Sequence, residues 1–117
     1  MLSNVSDSIQ SLRWAENITL KNIEQFQQEM ERLINSHVDS LILNLANTDY
    51  INSAGLGVIA NSVLEARKKQ KELIIVEIHQ SVQEIFSIVK FTAFIKSFES
   101  ETSAIDYFSG SNNGNQE

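Results

Sequence analysis

Cysteine is absent from the 117 residues, which excludes disulfides, thiolate nucleophiles, cysteine-held metals and any thiol redox role. Long apolar runs are missing too. None approaches the roughly 20 residues of a membrane-spanning helix, and Met1 to Gln10 has neither the basic flank nor the apolar stretch of a secretory signal. The expected location is the cytoplasm, without membrane insertion. Positive charge is scarce, with nine Lys and Arg against fifteen Asp and Glu and a net charge of −6. Such a chain repels a phosphate backbone unless its lysines cluster on one face. The single dense basic run, Arg67 to Lys71, reads as a solvated helix end favoured by the helix dipole. Nucleic acid is therefore not an expected partner. Glycosylation patterns at Asn4 and Asn17 have no export signal to give them meaning. The two histidines, His37 and His79, fall in predicted connections beside strands with no third ligand at metal spacing. No metal and no cofactor are expected.

What is present is a chain with 42% hydrophobic residues, enough for one compact domain and too short for two ordinary ones. Its apolar pattern switches between two periods. Ile9 to Trp14 alternates poorly and reads as a short strand. Leu20, Ile23, Phe26, Met30, Leu33 and Ile34 follow helical spacing over Leu20 to Asn35, with Thr19 placed to cap the first turn. Leu41 to Leu45 is a nearly unbroken apolar run, as a strand covered on both faces requires. Ala46 to Tyr50 is a polar connection, after which Leu56, Ile59, Val63 and Ala66 mark a second helix that ends in the basic run. Leu73 to Ile78 is a second buried strand. Ser81 with Glu84 has the pattern of a capping box before a helix carrying Val82, Ile85, Phe86 and Val89. A last strand is predicted over Phe94 to Phe98 and a short helix over Ser103 to Phe108. Strands alternating with single helices predict an α/β layered domain over 1–108, with four or five mostly parallel strands and about four helices. Residues 109–117, polar with two glycines, read as a disordered tail.

In small parallel sheets functional groups collect where strand carboxyl ends meet helix N-termini, which directs attention to Thr48 to Gly57. Of four glycines, only Gly55 and Gly57 lie outside the tail, both in the opening turn of the second helix, where each costs up to about 1 kcal/mol against alanine. Close packing onto the sheet is one explanation, and unobstructed approach of a partner or phosphate is another. Asn52 or Ser53 is placed to cap the helix, a role that by itself needs no function. Gly55-Leu56-Gly57 lacks the third glycine of a dinucleotide fingerprint and the lysine of a P-loop.

Asn52-Ser53-Ala54-Gly55-Leu56-Gly57, between the strand Leu41 to Leu45 and an amphipathic helix, is similar to the Asp-Ser-(Ser/Ala)-Gly-Leu-Gly signature of STAS-domain anti-sigma factor antagonists. The resemblance covers roughly residues 9–108: Glu16 to Ile34 resembles the family's acidic turn and first helix, and Leu73 to Phe108 its later strand, helix, strand and helix. It implies a STAS-type fold and a switch. In the family, the serine at the position of Ser53 is phosphorylated by an anti-sigma factor that is itself a serine kinase. A PP2C-type phosphatase reverses the modification, and the unphosphorylated form binds the anti-sigma factor and frees the sigma factor. Asn52, Ala54, Gly55, Leu56 and Gly57 are the partner-binding residues this implies.

Two departures stand out. Asn52 replaces the family's aspartate, isosteric but uncharged, and only about 15 residues precede the turn at Glu16-Asn17, so one of the family's two opening strands is expected to be absent or abbreviated. Catalysis is not expected, because the Gly-x-Ser-x-Gly elbow is missing and Asn52 cannot serve Ser53 as a base. The alternative is a STAS scaffold or adaptor that is never phosphorylated, in a stress-sensing or lipid-transporting ABC assembly. The hydroxyl of Ser53 favours the switch, and Asn52 the scaffold.

Overall fold

The computed structural model of the chain describes residues 1–110. Five strands and four helices follow in the order β1 (Leu2–Ser6), β2 (Ile9–Arg13), α1 (Ile23–Ile34), β3 (Ser40–Asn44), α2 (Ser53–Lys68), β4 (Glu72–Val76), α3 (Gln80–Ile88), a 3-10 turn over Phe91–Ala93, β5 (Ser97–Phe98) and α4 (Glu101–Phe108). The sheet order is β1-β2-β3-β4-β5. Only the β1–β2 pair is antiparallel; β2–β3, β3–β4 and β4–β5 are parallel.

The near-continuous apolar runs of β3 and β4 are explained by burial on both faces. Leu12, Leu43 and Ile75 lie in register across the three central strands. With Leu41 and Leu73 they pack against Phe26, Met30 and Leu33 of α1, Ile59, Val63 and Ala66 of α2, and Val82 and Phe86 of α3. Ile9, Ile42, Ile74 and Val76 point the other way and meet Ala104 of α4. Two polar residues are also buried beside α4, Ser11 and Asn44. The Glu101 carboxylate serves both: it accepts from Asn44 Nδ2 at 2.8 Å and from Ser11 Oγ at 3.4 Å. Ser11 is the reason β2 alternates poorly in sequence, since a polar side chain occupies a buried position and is paid for by a partner 90 residues away.

Several element boundaries differ from expectation. Both opening strands are present, joined at Asp7-Ser8 in a tight hairpin. β1 is an edge strand whose Leu2 and Val5 are only half-buried, so it carries no period-two signal. The helix expected from Leu20 begins at Ile23. Thr19 does not cap it: its hydroxyl accepts from Lys21 N and its own N–H donates to Asn22 Oδ1, closing a turn ahead of the helix. Ser81 does not cap α3, whose N-cap is His79. Phe94 to Phe98 is mostly not a strand; Lys90 sits in the left-handed region at φ 68° and ends α3, the 3-10 turn follows, and the Arg67 guanidinium binds the Phe94 carbonyl. β5 is thereby limited to two residues. At the far end, Ser109 and Gly110 close α4 with bonds to Ile105 O and Tyr107 O. The remainder of the predicted tail, 111–117, lies outside the described residues.

Candidate functional site

The carboxyl ends of β2, β3 and β4 lead into three segments, 14–22, 45–52 and 77–81, which meet at the start of α2. Ile18 and Ile51 form a parallel bridge, with Ile18 N donating to Tyr50 O and Asn52 N donating to Ile18 O, each at 3.0 Å. Asn17 holds the two loops together. Its Oδ1 accepts from Asp49 N at 2.8 Å and from Tyr50 N at 3.2 Å, while its own carbonyl accepts from Asn22 Nδ2 at 2.7 Å. Buried Thr48 donates from Oγ1 to Glu16 O at 2.8 Å. From the other side Ser81 Oγ donates to Asp49 O at 2.9 Å, and His79 Nε2 donates to Ala46 O at 2.6 Å. Beneath them, Asn44 Oδ1 accepts from Ala46 N at 2.9 Å. Five side chains thus fix the 45–52 loop, and Asn22 braces the Asn17 segment that meets it.

This frame presents Asn52 and Ser53. Asn52 is the N-cap of α2, extended at φ −79° and ψ 173°, and its Oδ1 accepts from Gly55 N at 2.7 Å. Ser53 is the first helical residue and is exposed. The first N–H groups of a helix lack intrahelical acceptors, and since Asn52 takes only that of Gly55, those of Ser53 and Ala54 remain directed out of the helix end.

The other residues of the motif divide. Ala54 and Gly57 are exposed, Leu56 is half-buried and packs against the main core, and Gly55 is buried. A Cβ on Gly55 would meet Ile18 Cγ2 at 2.6 Å and Ile51 Cγ2 at 2.8 Å, whereas one on Gly57 would meet nothing within 4 Å. Gly55 therefore serves close approach of α2 to the Ile18–Ile51 bridge and does not belong to the surface on which a partner would lie. Two residues outside the motif do: Leu20, 83% exposed, and Tyr50, 50% exposed. They flank Asn52 in a shallow hollow shared with Thr19 and Lys21. Sequence reasoning passed over them because an exposed Leu at helical spacing looks like core, and over Asn17 because its partners lie 32 and 33 residues away. Of the two histidines, His37 is exposed and His79 has the loop-fixing bond described above. Among the described residues no helix is long and apolar enough to cross a membrane.

A family model of the STAS domain matches residues 2–104, and the chain is 31% identical over 87 residues to BtrV of Bordetella bronchiseptica, named as a candidate anti-sigma factor antagonist, covering 74% of this chain and 75% of BtrV. The chain belongs to the STAS-domain family of anti-sigma factor antagonists. Solved structures of STAS proteins share its fold. TM1081 of Thermotoga maritima, a candidate anti-sigma factor antagonist, superimposes with a TM-score of 0.81 at 18% identity, over 89% of this chain and 90% of that one. The unphosphorylated form of the anti-sigma factor antagonist SpoIIAA gives 0.78 at 18% identity, over 97% and 98%. The phosphorylated form of SpoIIAA, from Bacillus, gives 0.71 at 17%, over 92% and 97%.

Proposed function

We propose that this STAS protein is a phosphorylation-switched binding module of the cytoplasm, which sequesters an anti-sigma factor while Ser53 carries a free hydroxyl and releases it when Ser53 is phosphorylated. The anti-sigma factor is itself the serine kinase, and a PP2C-type phosphatase restores the binding form. The protein binds and is modified; it does not catalyse. The observation that carries this reading is the placement of Ser53, exposed at the first position of α2 beside two uncommitted N–H groups, on a loop clamped by Asn17, Thr48, Ser81 and His79. A phosphate adds about −1.5 to −2 charges, and a helix N-terminus is where backbone dipoles accommodate them. Phosphorylation thus leaves the fold intact and acts on the surface, where a dianion beside Leu20, Tyr50, Ala54 and Gly57 obstructs a partner built for the neutral hydroxyl.

The second reading, an adaptor that is never phosphorylated, draws on Asn52. Its Oδ1 makes the capping bond that a carboxylate would make there, so the fold loses nothing by the replacement. What is missing is a charge beside Ser53 that a kinase could read. The deciding experiment incubates the purified chain with ATP and each serine kinase of the anti-sigma type in the host, followed by intact mass and site mapping. One phosphate on Ser53 is expected. No incorporation by any active kinase sinks the switch and leaves the adaptor.

A further inference from the structure

α1 and α2 lie side by side on the sheet, and a furrow between them runs from the site toward the far end of α2. Its upper hollow, about 360 Å³, is bounded by Ala54 and Gly57 of the motif and by Gln27 and Asn61. Its lower hollow, about 320 Å³, reaches Glu65 and Lys69. Glu31, Asn61 and Ser62 line both, so the two form one path. From Ala54 to Lys69 an α-helix extends about 22 Å, room for about four turns of a second helix or some six or seven extended residues.

Three features of this furrow are left largely unexplained by contacts among the described residues. Ser62 is only 6% exposed, yet its hydroxyl has no hydrogen-bond partner among the described residues. Buried hydroxyls are normally paired, so the partner of this one is supplied from the furrow, by water or by a ligand that displaces it. Gly57 gives up helix propensity although, outside its own turn of helix, no described atom lies within 4 Å of where its Cβ would be. At Gly55 the fold itself explains the glycine; at Gly57 it does not. The Glu31 carboxylate makes no ion pair among the described residues, and Glu65 pairs only with exposed Lys68, at 3.3 Å.

We propose that the furrow is the docking groove for a basic segment of the anti-sigma partner, entered beside Ser53 and anchored on the Ser62 hydroxyl. This rests on the switch reading and adds to it a second surface on the same partner. The segment's backbone or a small polar side chain meets Ser62, the missing Cβ of Gly57 lets it lie close to α2, and a Lys or Arg faces Glu31 and Glu65. Lys69 marks the end at which positive charge is no longer accepted. A −6 chain favours the approach of such a segment at long range. Because the entrance shares Ala54 and Gly57 with the phosphorylation site, a phosphate on Ser53 hinders the segment's entry as well as the contact at the loop.

The test uses the full chain and the host kinase that phosphorylates Ser53. Affinity of the unphosphorylated chain for that kinase is measured by calorimetry for wild type, Ser62→Ala, Glu31→Lys and Asn61→Arg. Each variant is expected to bind about tenfold more weakly with an unchanged Tm, and the Glu31→Lys loss should shrink at high salt. Asn61 and Glu31 are exposed, so those substitutions keep the test sound if Ser62→Ala disturbs packing. Binding within twofold of wild type by all three overturns the groove while leaving the switch standing. Absence of binding by wild type to every such kinase removes both.

Discussion

Two glycines separated by one residue should respond to the same substitution with opposite signs. At Gly55 an added Cβ lands 2.6 Å from Ile18 Cγ2 and 2.8 Å from Ile51 Cγ2, against ordinary contacts beginning near 3.4 Å. Neither isoleucine is free to yield: both are buried, and their backbones are tied by the bridge and its two 3.0 Å bonds. Overpacking of this kind costs about 1–3 kcal/mol, offset by ~1 kcal/mol of helix propensity, which leaves Gly55→Ala destabilised by up to about 2 kcal/mol. Gly57→Ala meets open space and keeps the propensity gain, up to about 1 kcal/mol. For a domain of this size, 1 kcal/mol moves Tm by about 4 °C. Thermal unfolding followed by circular dichroism should therefore place Gly55→Ala below wild type, by up to about 8 °C, and Gly57→Ala up to about 4 °C above it. Equal stabilisation by the two substitutions would refute the assignment of Gly55 to packing and, with it, the division of the motif into a structural and an exposed glycine.

Asn52→Asp keeps the capping bond to Gly55 N and adds a negative charge at a helix N-terminus, so its urea midpoint should match or slightly exceed that of wild type, by about 0.5 kcal/mol; Asn52→Ala should lose about 1 kcal/mol, and equal losses by both would contradict the cap. Asn17→Ala removes the acceptor of two backbone N–H groups, for a cost of about 1–2 kcal/mol. Amide exchange should then accelerate in 46–52 more than in β3 or β4; uniform acceleration would argue against a local clamp. Burial, followed by the hydrogen bond to Glu72 and that residue's charge, holds the Tyr107 phenol above its ordinary value. A group whose folded value is raised adds stability below its unfolded value, near pH 10, and loses it as pH climbs through the folded one. The stability gap between wild type and Tyr107→Phe should accordingly be constant near neutrality and narrow in the alkaline range, as read by denaturant melts across pH; a gap that widens there would reverse the sign.

The place of the site was legible from local pattern. Two apolar runs bracketing an Asn-Ser-Ala-Gly-Leu-Gly segment could only be strands leading into and out of a helix, and the carboxyl end of a central strand is where parallel sheets put their functional loops. The roles of individual residues within the site were less legible. Gly55 and Gly57 look alike in sequence, because the Ile18 and Ile51 side chains that separate them arrive from other segments. Ser81 has the spacing of a capping residue, but the Asp49 carbonyl competes for its hydroxyl and wins. Asn17 resembles any polar turn residue until the loop it clamps folds against it.

By itself the sequence determined the alternation of helix and strand, the burial of β3 and β4 on both faces and the exposed start of α2, since each of these follows from the spacing of apolar residues and from a capping side chain within a few positions. Tertiary structure alone decided that Leu2 to Ser6 pairs as an edge strand, that β5 shrinks to two residues beside Arg67, that α4 covers the second face with Glu101 serving Ser11 and Asn44, and that a furrow opens next to Ser53 with a serine unpaired among the described residues. Apart from the β1 hairpin, whose partners are at most ten positions away, those features depend on hydrogen bonds and contacts between residues tens of positions apart. Periodicity records whether a residue is buried, not which distant group it is buried against.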